Sequence, residues 1–332
     1  MKRFARILGV LLLLLVLVVV GAVTYITQAL PNIDAPSDLK VDVTAARIER
    51  GAYLANSVCA CMDCHSTRDW SKFSGPVVPG SLGAGGERFD ESIGFPGTFI
   101  SPNITPFALS DWSDGELYRA ITSGVGHDGQ PNFPVMPYLN YGTMDTEDIH
   151  SIIAYLRSLP AVESLPATSA PAFPMGIIMH TMPKPAMPGL RPDEADAVAN
   201  GRYIANAAGC IDCHTRSEKG AKVGPDYAGG FEFRFPNGAL VRSPNITPST
   251  EGGIGAWSRE QFIARFRAAA DSTYVPPTVD QARGDLQTVM PWMMYAGMSE
   301  QDLGALYDYL RTVPAVDGVV ERWTPATAAV GH

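Results

Sequence analysis

A chain of 332 residues that is 46% hydrophobic can bury packed cores and, at roughly 150 residues per domain, has room for about two of them. Its formal net charge of −9 excludes nucleic acid as a partner and suits a protein partner with a basic docking patch. With 32 Gly and 27 Pro, helices are confined to short pieces and loops take a large share of the chain.

The first segment is distinct. Lys2, Arg3 and Arg6 precede an uncharged run over residues 7–26. Twenty residues at about 1.5 Å each reach roughly 30 Å, the thickness of a bilayer's hydrocarbon core. A cleaved signal peptide has the same basic start but a shorter apolar region and a small-x-small exit. Here Val23-Thr24-Tyr25 follows Gly21-Ala22, which offers no such exit. Residues 1–30 therefore read as a membrane anchor or signal, with an uncleaved single-pass anchor preferred. The basic residues stay cytoplasmic, and everything beyond about residue 30 lies on the periplasmic side of a bacterial cytoplasmic membrane.

Next come two pentapeptides, Cys61-Met62-Asp63-Cys64-His65 and Cys210-Ile211-Asp212-Cys213-His214. Cys-x-x-Cys-His is the attachment signature of c-type haem, in which two thiols bind one porphyrin and the adjacent imidazole meets the iron. Only Cys59 lies outside the pentapeptides, so there is no disulfide framework.

The surroundings repeat in the same order. Gly51-Ala52-Tyr53-Leu54-Ala55-Asn56 matches Gly201-Arg202-Tyr203-Ile204-Ala205-Asn206. Ser101-Pro102-Asn103-Ile104-Thr105-Pro106 is identical to the hexapeptide 243–248. Trp112 and Trp257 follow, then Val135-Met136-Pro137-Tyr138 against Val289-Met290-Pro291-Trp292. Duplication explains this order and chance does not.

Each copy is predicted to hold three main helices. The first leads into the pentapeptide, at about 44–60 and 192–208. The second starts at capping boxes, Ser113 with Glu116 and Ser258 with Gln261. The third starts near Thr146 and Ser299, where Ile149, Ile152, Ile153 and Leu156, and Leu303, Leu306, Tyr307 and Leu310, form apolar stripes. Between them lie loops without strand alternation. A Pro/Met-rich connector, 161–192, reads as extended and stiff, and a tail, 315–332, follows the second copy.

His65 and His214 are the proximal iron ligands. Met136 and Met290, each preceding a proline in matching contexts, are the expected distal ligands, because the other histidines have no counterpart in the opposite copy. Pro76 and Pro225, each eleven positions after its histidine, are either acceptors for the histidine Nδ1–H or part of ordinary turns.

These motifs resemble class I c-type cytochrome domains over about residues 45–160 and 193–314. The tandem form resembles the di- and trihaem cytochrome c subunits of membrane-bound bacterial periplasmic dehydrogenases, although no third pentapeptide is present. The resemblance implies a mainly α fold, with two tandem cytochrome c domains wrapped around two covalent haem c groups behind the N-terminal helix. It also implies that Pro76 and Pro225 accept the histidine hydrogen bonds, that the methionines are sixth ligands, and that Asn103, Asn245, Trp112 and Trp257 lie near the propionates.

The expected function is single-electron transfer on the periplasmic side, between a dehydrogenase or quinol-oxidising complex and a terminal acceptor, with the chain as a carrier or a subunit of a larger complex. The alternative is a dihaem enzyme of the peroxidase or thiosulfate-dehydrogenase type, which needs an exchangeable iron site and an acid/base group such as His127. Cys59 is expected to be a small buried residue, with a redox thiol or stray adduct as its alternative. Met175, Met179, His180, Met182 and Met187 are expected to pack, although thioethers with an imidazole also suit Cu(I). Asp63 and Asp212 are expected on helix surfaces.

Overall fold

No side chain of helix α1, Lys2–Ala29, is buried in the rest of the molecule. Its apolar side chains from Ile7 to Val20 are exposed, and it is long and apolar enough to cross a membrane. The computed structural model describes residues 2–271, 273–280 and 283–326. The end of the expected tail, 327–332 with His332, lies outside the described residues.

The chain then runs through α2 (Ala45–Tyr53), which continues as a π-helical turn, Leu54–Val58, and α3 (Cys61–Cys64). Strands β1 (Arg88–Phe89) and β2 (Gly97–Ile100) precede α4 (Pro106–Leu109), α5 (Asp114–Ser123), α6 (Tyr138–Tyr141) and α7 (Thr146–Ser158). After β3 (Ala170–Pro171) and α8 (Met175–Ile178) the series recurs as α9 (Ala197–Ala207) and α10 (Cys210–Cys213). It continues through β4 (Ser217–Glu218), β5 (Ala221–Lys222), β6 (Glu232–Arg234) and β7 (Leu240–Arg242). The chain closes with α11 (Arg259–Arg267), α12 (Trp292–Tyr295), α13 (Glu300–Leu310) and β8 (Trp323–Thr324).

Both predicted capping boxes form, at Ser113 with Glu116 and at Ser258 with Gln261. The closing helices begin under Asp145 and Ser299, whose side chains accept backbone N–H groups of the first turn. Helix α2 packs on α7 and α9 on α13. Glycine makes these crossings close: a Cβ on Gly51 would lie 1.9 Å from the Ser151 carbonyl oxygen, and one on Gly201 1.9 Å from that of Ala305.

From glycine to cysteine the first half has ten steps (Gly51 to Cys61) and the second nine (Gly201 to Cys210). The π turn at Leu54–Val58 absorbs the extra residue, as such bulges do when a helix gains one position.

A continuous apolar cluster joins the halves, with Leu54, Ile149, Ile153, Ile204, Leu303 and Leu306 at its centre. The polar contacts across it are reciprocal. The Tyr53 hydroxyl donates to Asp302, and the Tyr203 hydroxyl donates to Asp148 at 2.7 Å. Each hydroxyl also accepts a backbone N–H at 3.1 Å, from Ser299 and Asp145 respectively. Helix α6 meets α9, and α12 meets the π turn. The halves thus face each other across an approximate two-fold relation, each offering the same patch to the other.

Three features differ from the sequence expectation. The loops carry small antiparallel sheets, ordered β1-β2-β3, β4-β5 and β6-β7-β8. Strands β3 and β8 come from beyond the expected domain ends at 160 and 314: Gly97 pairs with Pro171 and Leu240 with Thr324. The chain after each closing helix therefore folds back onto its own half, because an edge strand there has backbone groups to satisfy. The connector, finally, is not extended throughout. Helix α8 and a 3₁₀ turn, Met179–Thr181, lie against the end of α1, where His180 Nδ1 donates to the Leu30 carbonyl at 2.8 Å.

Candidate haem-attachment sites

Helices α3 and α10 are single turns whose preceding residue is left-handed, Ala60 at φ 50° and Gly209 at φ 63°. Cys61 and Cys210 therefore occupy the same position, and Cys59 corresponds to Ala208. The carbonyls of these last two accept from Tyr141 Oη at 3.0 Å and Tyr295 Oη at 2.7 Å. Cys59 lies outside the turn and is buried; its hydrogen bond with Cys61, then its burial, hold its thiol pKa well above the ordinary value. Burial also pushes the Cys64 and Cys210 thiols up to about 12.

His65 and His214 are both buried. His65 Nδ1 lies 2.8 Å from the Pro102 carbonyl oxygen, and His214 Nδ1 2.9 Å from that of Pro244. A carbonyl only accepts, so Nδ1 carries the proton and Nε2 keeps a lone pair for a metal. Burial lowers the pKa of both rings, which favours the neutral, ligating form.

Pro76 and Pro225 are therefore not the histidine acceptors. Their carbonyls serve local turns, accepting from Asp69 N–H at 2.9 Å and Ala228 N–H at 3.3 Å. The acceptors come from the repeated hexapeptide, which folds over each imidazole. Gly85 and Gly229, both left-handed, make that approach: a Cβ on either would lie 2.6 or 2.5 Å from the carbonyl carbon of Pro102 or Pro244. The paired glycines Gly85-Gly86 and Gly229-Gly230 were the sequence signal for it.

Asn103 and Asn245 are also placed differently from expectation. Asn103 Nδ2 donates to the carbonyls of Val162 (2.8 Å) and Ser164 (3.0 Å), while its Oδ1 accepts from Thr105 N–H and Oγ1, both at 2.8 Å. Asn245 Nδ2 donates to the Val316 carbonyl at 2.7 Å, and its Oδ1 accepts from Thr247 N–H at 2.9 Å. Both amides are buried and spent on fixing the returning chain, so they are not free for propionates. The Trp112 carbonyl is held by Arg157, and its ring lies 5.4 Å from that of His127. Trp257 is 39% exposed, and its carbonyl accepts from Tyr307 Oη at 2.7 Å.

Met136 and Met290 are half-buried and pack against the shared core. Their turns have the same shape: each carbonyl accepts from the N–H two residues on at 2.8 Å, and the prolines sit at φ −79° with ψ 52° and 63°. Tyr138, next after Met136-Pro137, is fully buried, and its hydroxyl has no partner among the described residues. A buried hydroxyl in that position calls for a partner from outside the chain, a water, an ion or a bound group.

Asp63 is not on a surface. It is buried and paired with Arg68 at 2.8 Å, and burial pushes its carboxyl up to about 7 against the pull of the guanidinium. Arg68 lies 4.2 Å over the Trp70 ring, and Trp70 Nε1 donates to Glu87 at 2.8 Å. Asp212 is exposed and accepts from Asn140 Nδ2 at 2.6 Å. His127 is also half-exposed and pairs with Glu116 at 3.0 Å. Met187 is 80% exposed while Met179 is buried.

Residues 198–314 match the cytochrome c family and form a cytochrome c domain. The chain is 26% identical over 293 residues to the cytochrome c subunit of the quinone alcohol dehydrogenase of Gluconobacter oxydans, covering 83% of this chain and 56% of the relative. It is 28% identical over 285 residues to the fructose dehydrogenase cytochrome subunit of Gluconobacter japonicus, covering 81% and 53%. A diheme c-type cytochrome of Cereibacter sphaeroides is 26% identical over 267 residues, covering 77% and 83%. The chain thus spans little more than half the length of the two dehydrogenase subunits.

Proposed function

We propose that the chain is a membrane-anchored dihaem cytochrome c that passes single electrons on the periplasmic side, between a dehydrogenase or quinol-oxidising complex and a terminal acceptor. The observation that carries this reading is the duplicated geometry: two Cys-x-x-Cys-His turns, each with a buried histidine locked at Nδ1 by a proline carbonyl so that Nε2 is free to ligate. The cysteine pairs, the neutral imidazoles, the repeated methionine turns and the unpartnered Tyr138 hydroxyl all fit haem c.

Cys61 and Cys64, with His65 and Met136, would hold one group; Cys210 and Cys213, with His214 and Met290, would hold the other. Trp112 and Trp257 are the remaining proposed neighbours of the propionates. Bound haem supplies the one-electron chemistry, and the protein supplies position and potential. A thioether opposite an imidazole raises the potential relative to two imidazoles. The Pro102 and Pro244 carbonyls, accepting from Nδ1–H, fix the plane of each imidazole, and Met136 and Met290 would close the other face of each bound group to water and substrates. Two closed sites favour a carrier over a peroxidase or thiosulfate-type enzyme, and His127, paired with Glu116 on the surface, is poorly placed as an acid/base group. The relatives named as cytochrome subunits of alcohol and fructose dehydrogenases support a role as the electron-transfer subunit of a larger complex, held at the membrane by α1. The acidic surface suits a basic partner.

Haem counting tests this directly. Alkaline pyridine spectra combined with the mass of the intact chain should give two covalent haems, falling to one in Cys210→Ala/Cys213→Ala. A single haem in the unaltered protein would refute the dihaem reading.

A further inference from the structure

The halves are not equivalent in how their methionine turns are held. In the first half the loop after His65 reaches across to the second half's Met290 turn. Ser74 Oγ donates to the Met290 carbonyl at 2.6 Å and accepts from Trp292 N–H at 3.2 Å. Ser74 N–H donates to Gln287 Oε1 at 2.9 Å, and Gln287 Nε2 donates to the carbonyls of Trp70 (3.1 Å) and Lys72 (2.9 Å). Ser74 is 1% exposed and Gln287 is fully buried. Two flanking backbone bonds extend the grip, Phe73 N–H to Pro277 and Val279 N–H to Ser71, both at 2.9 Å.

Ser74 has φ 64°, a left-handed conformation that a non-glycine residue keeps only where its surroundings impose it. Among the described residues the second half has no equivalent clasp. The residue matching Ser74, in front of Gly224-Pro225, is Val223; it is 53% exposed, and its N–H bonds to Arg216 of its own half at 3.0 Å.

We infer that Ser74 and Gln287 are positioning residues through which the first half sets the sixth ligand of the second haem by holding the Met290 turn. This rests on reading Met290 as that ligand. Removing the Ser74 hydroxyl leaves the Met290 carbonyl and the Trp292 N–H with only their 2.8 Å bond to each other, so the turn loses its tie to the first half and opens more easily. The expected effect is about tenfold easier displacement of Met290, equivalent to about 1.4 kcal/mol and of the size of one net hydrogen bond.

The test uses the full-length, haem-loaded protein in detergent. Imidazole is titrated into the oxidised parent, Ser74→Ala and Gln287→Ala, and loss of the methionine–iron(III) charge-transfer band is followed. Both variants should lose half of the band at about tenfold lower imidazole, with the other half displaced as in the parent. Unchanged titrations, or equal shifts of both haems, would overturn the clasp. Met290→Ala serves as the separate check: it should remove the shifting half of the band from the start. An intact band there would overturn the ligation reading, and the clasp with it.

Discussion

Replacing Asn103 by alanine separates a structural role for the hexapeptide from contact with a propionate. The change deletes four hydrogen bonds made by one buried amide. Thr105 is fully buried, so its N–H is left without an acceptor, at about 1–3 kcal/mol. The carbonyls of Val162 and Ser164 lie in a half-exposed stretch and rehydrate, so each contributes less, about 0.5–1 kcal/mol. The expected total is about 3 kcal/mol, read from denaturant unfolding of the haem-loaded protein. Because the same segment presents Pro102 to His65, the first haem should also become more accessible to exogenous ligands before global unfolding. Asn245→Ala should do the same to the second half. A loss below about 1 kcal/mol accompanied by a shift in haem potential would refute this reasoning and restore the propionate role.

Three further outcomes are expected. Gly201→Ala places a methyl 1.9 Å from the Ala305 carbonyl oxygen, forcing α9 and α13 apart; it should destabilise by about 2–3 kcal/mol even after the helix-propensity gain, as thermal unfolding would show. Ala60→Gly relieves a left-handed alanine where the second half already has Gly209, and should stabilise by about 1 kcal/mol in the same assay. Burial, then the bond to Asp302, raises the Tyr53 hydroxyl to about 12. Its folded pKa thus exceeds the unfolded value of about 10, so its stabilisation is complete below pH 10 and is lost as pH rises toward 12. Tyr53→Phe should flatten that alkaline decline, and an identical pH profile would contradict the assignment.

Much of the site was written in local sequence. The pentapeptides, the capping boxes at Ser113 and Ser258 and the paired Met-Pro turns each depend on residues a few positions apart, and spacing suffices to find them. What sequence reading missed depends on chain return. Pro102 lies 37 residues from His65, so a fixed short offset pointed to Pro76 instead. Asn103 looked like a polar ligand contact because its partners, Val162 and Ser164, lie beyond the expected end of the domain. Asp63 is a lone carboxylate in a short helical turn, and its burial depends on Arg68, which pairs with it at 2.8 Å while lying over the Trp70 ring. The reciprocal Tyr53 and Tyr203 bonds were visible as a repeated tyrosine, but nothing local says that each donates to the opposite half. Ser74 had no signal, since its counterpart is Val223.

Low-temperature electron paramagnetic resonance and magnetic circular dichroism of the oxidised, full-length protein test the dihaem carrier most directly. Two low-spin centres with histidine–methionine ligation are expected, each replaced by a high-spin centre in Met136→Ala or Met290→Ala. A high-spin or bis-histidine centre in the unaltered protein would contradict it.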